Sequence, residues 1–135
     1  MDEPSHIASC QCGKVTVECT GEPVRVSVCH CFDCQKRSGS VFATQARFER
    51  HHVRIAGETS RFVRVADSGA AISQYFCPTC GTGIYYQLPD EPDLFAIAVG
   101  LFSDLQFPAP TFSVWENRKH VWVQVLGQNV HHRPD

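Results

Sequence analysis

Cys29-His30-Cys31-Phe32-Asp33-Cys34 places three sulfurs within six residues, at the end of the alternating apolar stretch Val24-Arg25-Val26-Ser27-Val28. Two further cysteine pairs bracket it: Cys10-Gln11-Cys12-Gly13 upstream and Cys77-Pro78-Thr79-Cys80-Gly81 downstream. Of the eight cysteines, Cys19 alone stands outside a cluster. A disulfide between cysteines one residue apart would close a very small, strained ring, whereas both sulfurs reach one tetrahedral ion without strain. The spacing therefore predicts metal ligation.

The 135 residues suffice for one domain, expected to span 1–135 with a core over about 8–126 and polar tails at 1–7 and 127–135. A formal charge of -2 carries no polyelectrolyte signal, which argues against nucleic acid as a partner. No apolar run approaches signal-peptide or membrane-span length, so the expectation is a cytoplasmic protein with no membrane partner. In a reducing compartment, cysteines serve metal ligation or thiol chemistry rather than disulfides.

Outward from the central cluster, period-two alternation predicts strands over 14–19, with Val15, Val17 and Cys19 inward, and over 24–28, with Arg25 and Ser27 outward. A short helix is expected over 32–38, with Asp33 as its capping residue and Lys36 and Arg37 at its carboxyl end. Residues 53–58 read as a short strand and a turn at Ala56-Gly57-Glu58, and further strands are expected at 41–46, 59–65, 71–76, 84–88, 94–99, 111–115 and 121–126. Residues 1–9 read as a loose lead-in with His6 facing solvent, and the segment from Gly127 as a dispensable tail. Many short strands with little helix predict a mainly β fold of several small antiparallel sheets.

Cys10, Cys12, Cys77 and Cys80 supply four thiolates in two knuckles, each followed by a glycine, and match a closed structural zinc site, with iron as the competing metal. Cys29, Cys31 and Cys34 form a set one ligand short. They can hold a second zinc that takes an exchangeable fourth ligand, or His30, His120, Asp33 or Cys19 can complete the set. His30, between two ligands, points away from their convergence and is expected to support the site rather than bind the ion. Lys36, Arg37 and Arg118 either offset thiolate charge, attract a substrate carboxylate or form a solvated face. Among Phe32, Phe42, Tyr86, Phe102, Trp115 and Trp122, one or two are expected to wall a pocket and the rest to be core. The pairs His51-His52 and His131-His132 give only a weak metal signal.

The combined pattern resembles the glutathione-dependent formaldehyde-activating enzyme / centromere protein V family. The resemblance rests on Cys10-x-Cys12-Gly13, Cys29-His30-Cys31-x-x-Cys34 with Ser38-Gly39-Ser40, Phe76-Cys77-x-x-Cys80-Gly81 and the segment from Trp115 to Trp122. It implies a zinc-containing Mss4-like β fold and two zinc ions per chain, one on Cys10, Cys12, Cys77 and Cys80 and one on Cys29, Cys31 and Cys34. It also implies carbon-sulfur lyase-type chemistry on a small thiol or thiol-carbonyl adduct, with glutathione and formaldehyde as the namesake pair. Lys36, Arg37 and Arg118 are then the expected contacts for glutathione carboxylates. The alternative is a zinc-stabilised interaction module without catalysis, which a protein-supplied fourth ligand and no adjacent cavity would favour.

Overall fold

The computed structural model describes residues 3–135, and they are mainly β with a single α-helix among them. Strands β1 (Ser5–Ser9), β2 (Thr16–Thr20) and β5 (Val53–Ala56) form a three-stranded antiparallel sheet in the order β1-β2-β5. The other strands are β3 (Arg25–Cys29), β4 (Ala43–Glu49), β6 (Ser60–Val65), β7 (Ala71–Phe76), β8 (Gly83–Gln87), β9 (Leu94–Ala98), β10 (Phe112–Val114) and β11 (His131–His132). They make one eight-stranded sheet in the order β11-β10-β3-β4-β9-β8-β7-β6.

Alternation explains most of the pairing. Val15, Val17 and Cys19 are all buried, as their period-two spacing predicts, and pack with Phe48, Ile84 and Ile97 in the core between the sheets. The run Leu94–Ala98 is a strand between β4 and β8, and both neighbours are antiparallel to it. Helix α1 (Phe32–Ser38) follows β3 directly, so the chain reverses at the cysteine-rich stretch.

Several features depart from the sequence expectations, each through a tertiary partner that local pattern does not reveal. The larger sheet is not small, and it is not wholly antiparallel: β10 runs parallel to β3 on one side and to β11 on the other. Ser5–Ser9 is a strand because β2 offers it a full five-residue register. His6 accordingly turns inward, its ring 5.0 Å from that of Phe107 and 6.1 Å from that of Phe102. Residues 121–126 form no strand, since β10 already occupies the free side of β3 and β11 that of β10; Trp122 is 70% exposed. The tail is not loose over His131–His132, which add the last strand.

Asp33 does not cap α1. The cap is Cys31, whose sulfur accepts the Cys34 backbone N–H at 3.4 Å, while Asp33 pairs with Arg64 at 3.0 Å. Ser27 is buried rather than outward, and Arg25, still 38% exposed along its side chain, lies with it on a face of β3 that lines a cavity. Among the described residues no helix is long and apolar enough to cross a membrane.

Candidate metal centres and the arginine cavity

The turn between β1 and β2 carries Cys10 and Cys12, and the turn between β7 and β8 carries Cys77 and Cys80. The core between the sheets brings these turns together, so that the four sulfurs lie within 4.8 Å of one another. Gly13 and Gly81 take φ of +82° and +79°, a conformation that lets each knuckle curl back on its sulfurs and that a side chain would disfavour. Further bonds tie the turns: the Gln11 N–H donates to the Thr82 hydroxyl at 3.2 Å, and Lys14 Nζ donates to the Thr79 hydroxyl at 3.5 Å.

A tetrahedral ion bound by thiolates at about 2.3 Å spaces its sulfurs about 3.8 Å apart. The Cys10–Cys12 and Cys12–Cys77 sulfurs are 3.6 Å and 3.7 Å apart, which fits that shape. All eight cysteines are free thiols. Hydrogen bonding from the Thr82 hydroxyl and backbone pulls the Cys80 thiol down to about 5, already prepared as a thiolate donor. Cys10 is also lowered; burial opposes this, and the Val15 N–H, 3.3 Å from its sulfur, favours it.

The second cluster is local. β3 ends on Cys29, Cys31 caps α1 and Cys34 lies in its first turn, which places the three sulfurs within 4.8 Å of one another. The Cys29 and Cys34 thiols, then the Cys34 and Asp33 N–H groups at the start of α1, hold Cys31 down to about 2. Cys29 is pushed up, first by hydrogen bonding with Cys31 and Cys34 and then by burial. Three sulfurs this close share protons unless a cation joins them. Their chemistry suits a soft, thiolate-preferring metal.

The candidates for a fourth donor are elsewhere. His30 is 0% exposed and faces away from the sulfurs; its Nε2 is 2.9 Å from Ser113 Oγ, and its Nδ1 has no protein partner. Burial lowers its pKa, so the ring is neutral. His120 Nε2 is held by Gln35 Oε1 at 3.0 Å, and Gln35 Nε2 also donates to the His30 carbonyl at 2.8 Å. Cys19 is sealed in β2, its thiol raised to about 12 by burial and by Glu18. Among the described residues, no His, Cys, Asp or Glu completes the three-sulfur group.

Beside the trio opens a cavity of about 350 Å³. Cys29, Cys31 and Cys34 form part of its wall, and Tyr86, Phe112, Trp115 and Ile72 form its apolar part. Five arginines line it: Arg25 from β3, Arg37 from α1, Arg47 from β4, Arg64 from β6 and Arg133 after β11. The Arg37 guanidinium lies 4.8 Å from the Tyr86 ring centroid and approaches Cys34 Sγ at 4.0 Å.

Of the three cations expected to serve the site, Arg37 lines the cavity, whereas Lys36 and Arg118 do not; Arg118 lies over the exposed ring of Phe32. Of the six aromatics, Tyr86 and Trp115 are walls, while Phe102 packs in the core. Arg25, Arg47, Arg64, Arg133 and Phe112 were not anticipated. Ser27, buried between the buried Val26 and Val28, shows that both faces of β3 are covered; the alternation of the sequence carries no such signal. His51 and His52 gather with Glu49 in an exposed cluster, at 3.3 Å and 3.7 Å from its carboxylate.

The sequence model of the family described as glutathione-dependent formaldehyde-activating enzyme matches residues 5–118. Proteins from Aspergillus flavus and Aspergillus oryzae, each named "Putative glutathione-dependent formaldehyde-activating enzyme", are 29% identical over 84 residues, covering 62% of this chain and 44% of theirs. The chain thus spans less than half the length of these curated relatives. A crystal structure of a Rhodobacter sphaeroides protein shares the fold, with a TM-score of 0.57 at 21% identity, covering 74% of this chain and 90% of that one.

Proposed function

The chain belongs to the glutathione-dependent formaldehyde-activating enzyme / centromere protein V family, with its Mss4-like fold, and from that premise we propose that it is a zinc-dependent enzyme making or breaking a carbon-sulfur bond in a small thiol. One observation carries the reading: a three-sulfur cluster with no fourth donor among the described residues stands in the wall of an arginine-lined cavity. An interaction module would be better served by a sealed fourth ligand and a filled surface. Cys10, Cys12, Cys77 and Cys80 would hold a structural zinc, and Cys29, Cys31 and Cys34 a second. Eight free thiols suit a reducing compartment such as the cytoplasm.

Zinc on the trio would supply a fourth coordination position that favours a bound thiol in its thiolate form. The protein's own side chains do the rest. Arg37, stacked on Tyr86, places positive charge beside the sulfurs and is positioned to meet a substrate carboxylate. The buried Tyr86 and half-buried Phe112 cover one side of the cavity, with the more exposed Trp115 beside them, and this partial desolvation strengthens the charge interactions. In the forward direction the thiol sulfur bonds to the carbonyl carbon, the carbonyl π pair moves to oxygen, and that oxygen takes up a proton equal to the one the thiol released. Reversal breaks the carbon-sulfur bond. Glutathione with formaldehyde is the first pair to test.

The experiment is exchange spectroscopy on the glutathione–formaldehyde adduct with zinc-loaded protein, compared with Cys31→Ala. The expected result is exchange above the spontaneous rate, reduced at least about 100-fold in the variant, with the fold retained by circular dichroism. Equal acceleration by the two proteins would overturn the role of the trio.

A further inference from the structure

The charge balance of the cavity is the feature that the thiol reading leaves unused. Five guanidinium groups line the cavity, and Asp33 is the sole carboxylate among its lining residues. Asp33 is already engaged by Arg64 at 3.0 Å. Arg25 and Arg47 face each other directly across the β3–β4 register, an arrangement that repels unless an anion intervenes. Glu91 answers only partly, standing 3.7 Å from Arg25 and 3.8 Å from Arg47. At least three of the five positive charges thus lack a carboxylate of their own.

The cavity is built rather than incidental. Arg47 is only 8% exposed and is fixed by donating to Ser27 Oγ at 3.1 Å and to Tyr86 Oη at 3.2 Å. Gln45, 3% exposed and part of the lining, has one end of its amide on Ser27 and the other without a protein partner. Arg64 Nε is likewise buried without a partner. Arg64 Nε is a donor and calls for an acceptor such as a carboxylate oxygen, whereas Gln45 Oε1 is an acceptor and calls for a donor, which an uncharged hydroxyl supplies.

Glutathione carries two carboxylates and also an ammonium. The carboxylates suit the arginines. The ammonium would enter a cavity whose one carboxylate is taken; three thiolates on a zinc dication would leave a net negative charge, but five guanidinium groups outweigh it and the lining stays positive. Like charges held in a partly desolvated site disfavour binding strongly. We propose that the cavity selects a small thiol bearing two or more acidic groups and no free ammonium, such as a mercapto-dicarboxylate or its carbonyl adduct, over a zwitterionic thiol. The inference rests on the reading of the trio as a thiol site. It goes further in assigning the arginine cage as the determinant of which thiol is taken.

Calorimetric titration of zinc-loaded protein tests it with five probes: glutathione, N-acetylglutathione, mercaptosuccinate, 2-mercaptoethanol and succinate. N-acetylation removes the ammonium charge and adds an uncharged acetyl group, while both carboxylates and the thiol are kept. N-acetylglutathione and mercaptosuccinate are expected to bind at least about tenfold tighter than glutathione, with a preference that shrinks as salt is raised. Arg133→Gln, remote in sequence from the sulfurs, is expected to cut mercaptosuccinate affinity about fivefold with metal content unchanged. Glutathione binding as tightly as its N-acetyl form would overturn the selectivity and leave the thiol reading standing. If no thiol binds better than its sulfur-free counterpart, the thiol reading fails. Succinate then judges the cage alone: binding that Arg133→Gln weakens supports an anion-selective cavity, and absent or unweakened binding overturns it.

Discussion

The two cysteine clusters use the same donor in opposite topological settings. Cys12 and Cys77 are 65 positions apart, and their tetrad joins a turn of the three-stranded sheet to a turn of the eight-stranded one. Cys29, Cys31 and Cys34 lie within six residues and tie one strand to the helix that follows it. Around the tetrad the partners are threonine hydroxyls and backbone N–H groups; around the trio they are arginines and a cavity. On the proposed reading, connectivity rather than ligand chemistry separates a site that would hold the fold from a site that would serve it.

The comparison breaks most readily at the tetrad. Cys77→Ala is expected to cost about 4 kcal/mol or more, through loss of the metal that the tetrad is proposed to hold between the sheets. Cys31→Ala should cost about 1 kcal/mol, the worth of a helix cap. Urea unfolding with metal analysis checks both, and equal losses in the two variants would erase the distinction.

The support behind the trio gives the next effect. Ser113→Ala leaves the buried His30 ring with neither nitrogen bonded, at a cost of about 1–3 kcal/mol. It should also weaken the trio's metal affinity about tenfold or more and leave the tetrad's unchanged. Competition with a chelator separates the two metals; parallel weakening would show that His30 does not belong to the trio alone.

The smallest effect is one of pH. Burial raises the Glu116 carboxyl, but hydrogen bonds from Ser113 and His132 outweigh it and hold the group below its ordinary value. The His132 contact is 2.7 Å. A lowered folded pKa means that its stabilisation is complete above the unfolded carboxylate value of about 4.3 and fades as pH falls through the folded one. Glu116→Gln should therefore lower stability modestly at neutral pH, where the carboxylate's contribution is complete, and flatten the further decline below about pH 4, as read from unfolding midpoints across that range.

Local pattern made much of this legible. Alternation marked β2, β3 and β6, a short apolar run between Pro92 and Gly100 marked β9, and cysteine spacing marked both clusters. The choice among Lys36, Arg37 and Arg118 was also within reach, since Arg37 is three residues after Cys34 and shares its helix face, whereas Lys36 is two residues after and does not. The remainder depends on register and on partners distant in sequence. Nothing near Arg25 announces that Arg47 will stand opposite it, or that Arg133 will follow a strand made only because β10 has an edge to extend. Residues 121–126 carry a strand's alternation and find no neighbour to pair with.

The long reach of the tetrad matters first during synthesis. As the chain leaves the ribosome, Cys29 to Cys34 are complete and able to capture an ion while Cys77 and Cys80 have yet to be translated. Cys10 and Cys12 meanwhile wait, with an incomplete ligand set, for more than half of the chain. Closing the longer loop costs about 2 kcal/mol more in chain entropy than closing the six-residue one. The nascent protein is therefore most exposed to oxidation and mispairing in the interval before its second knuckle emerges.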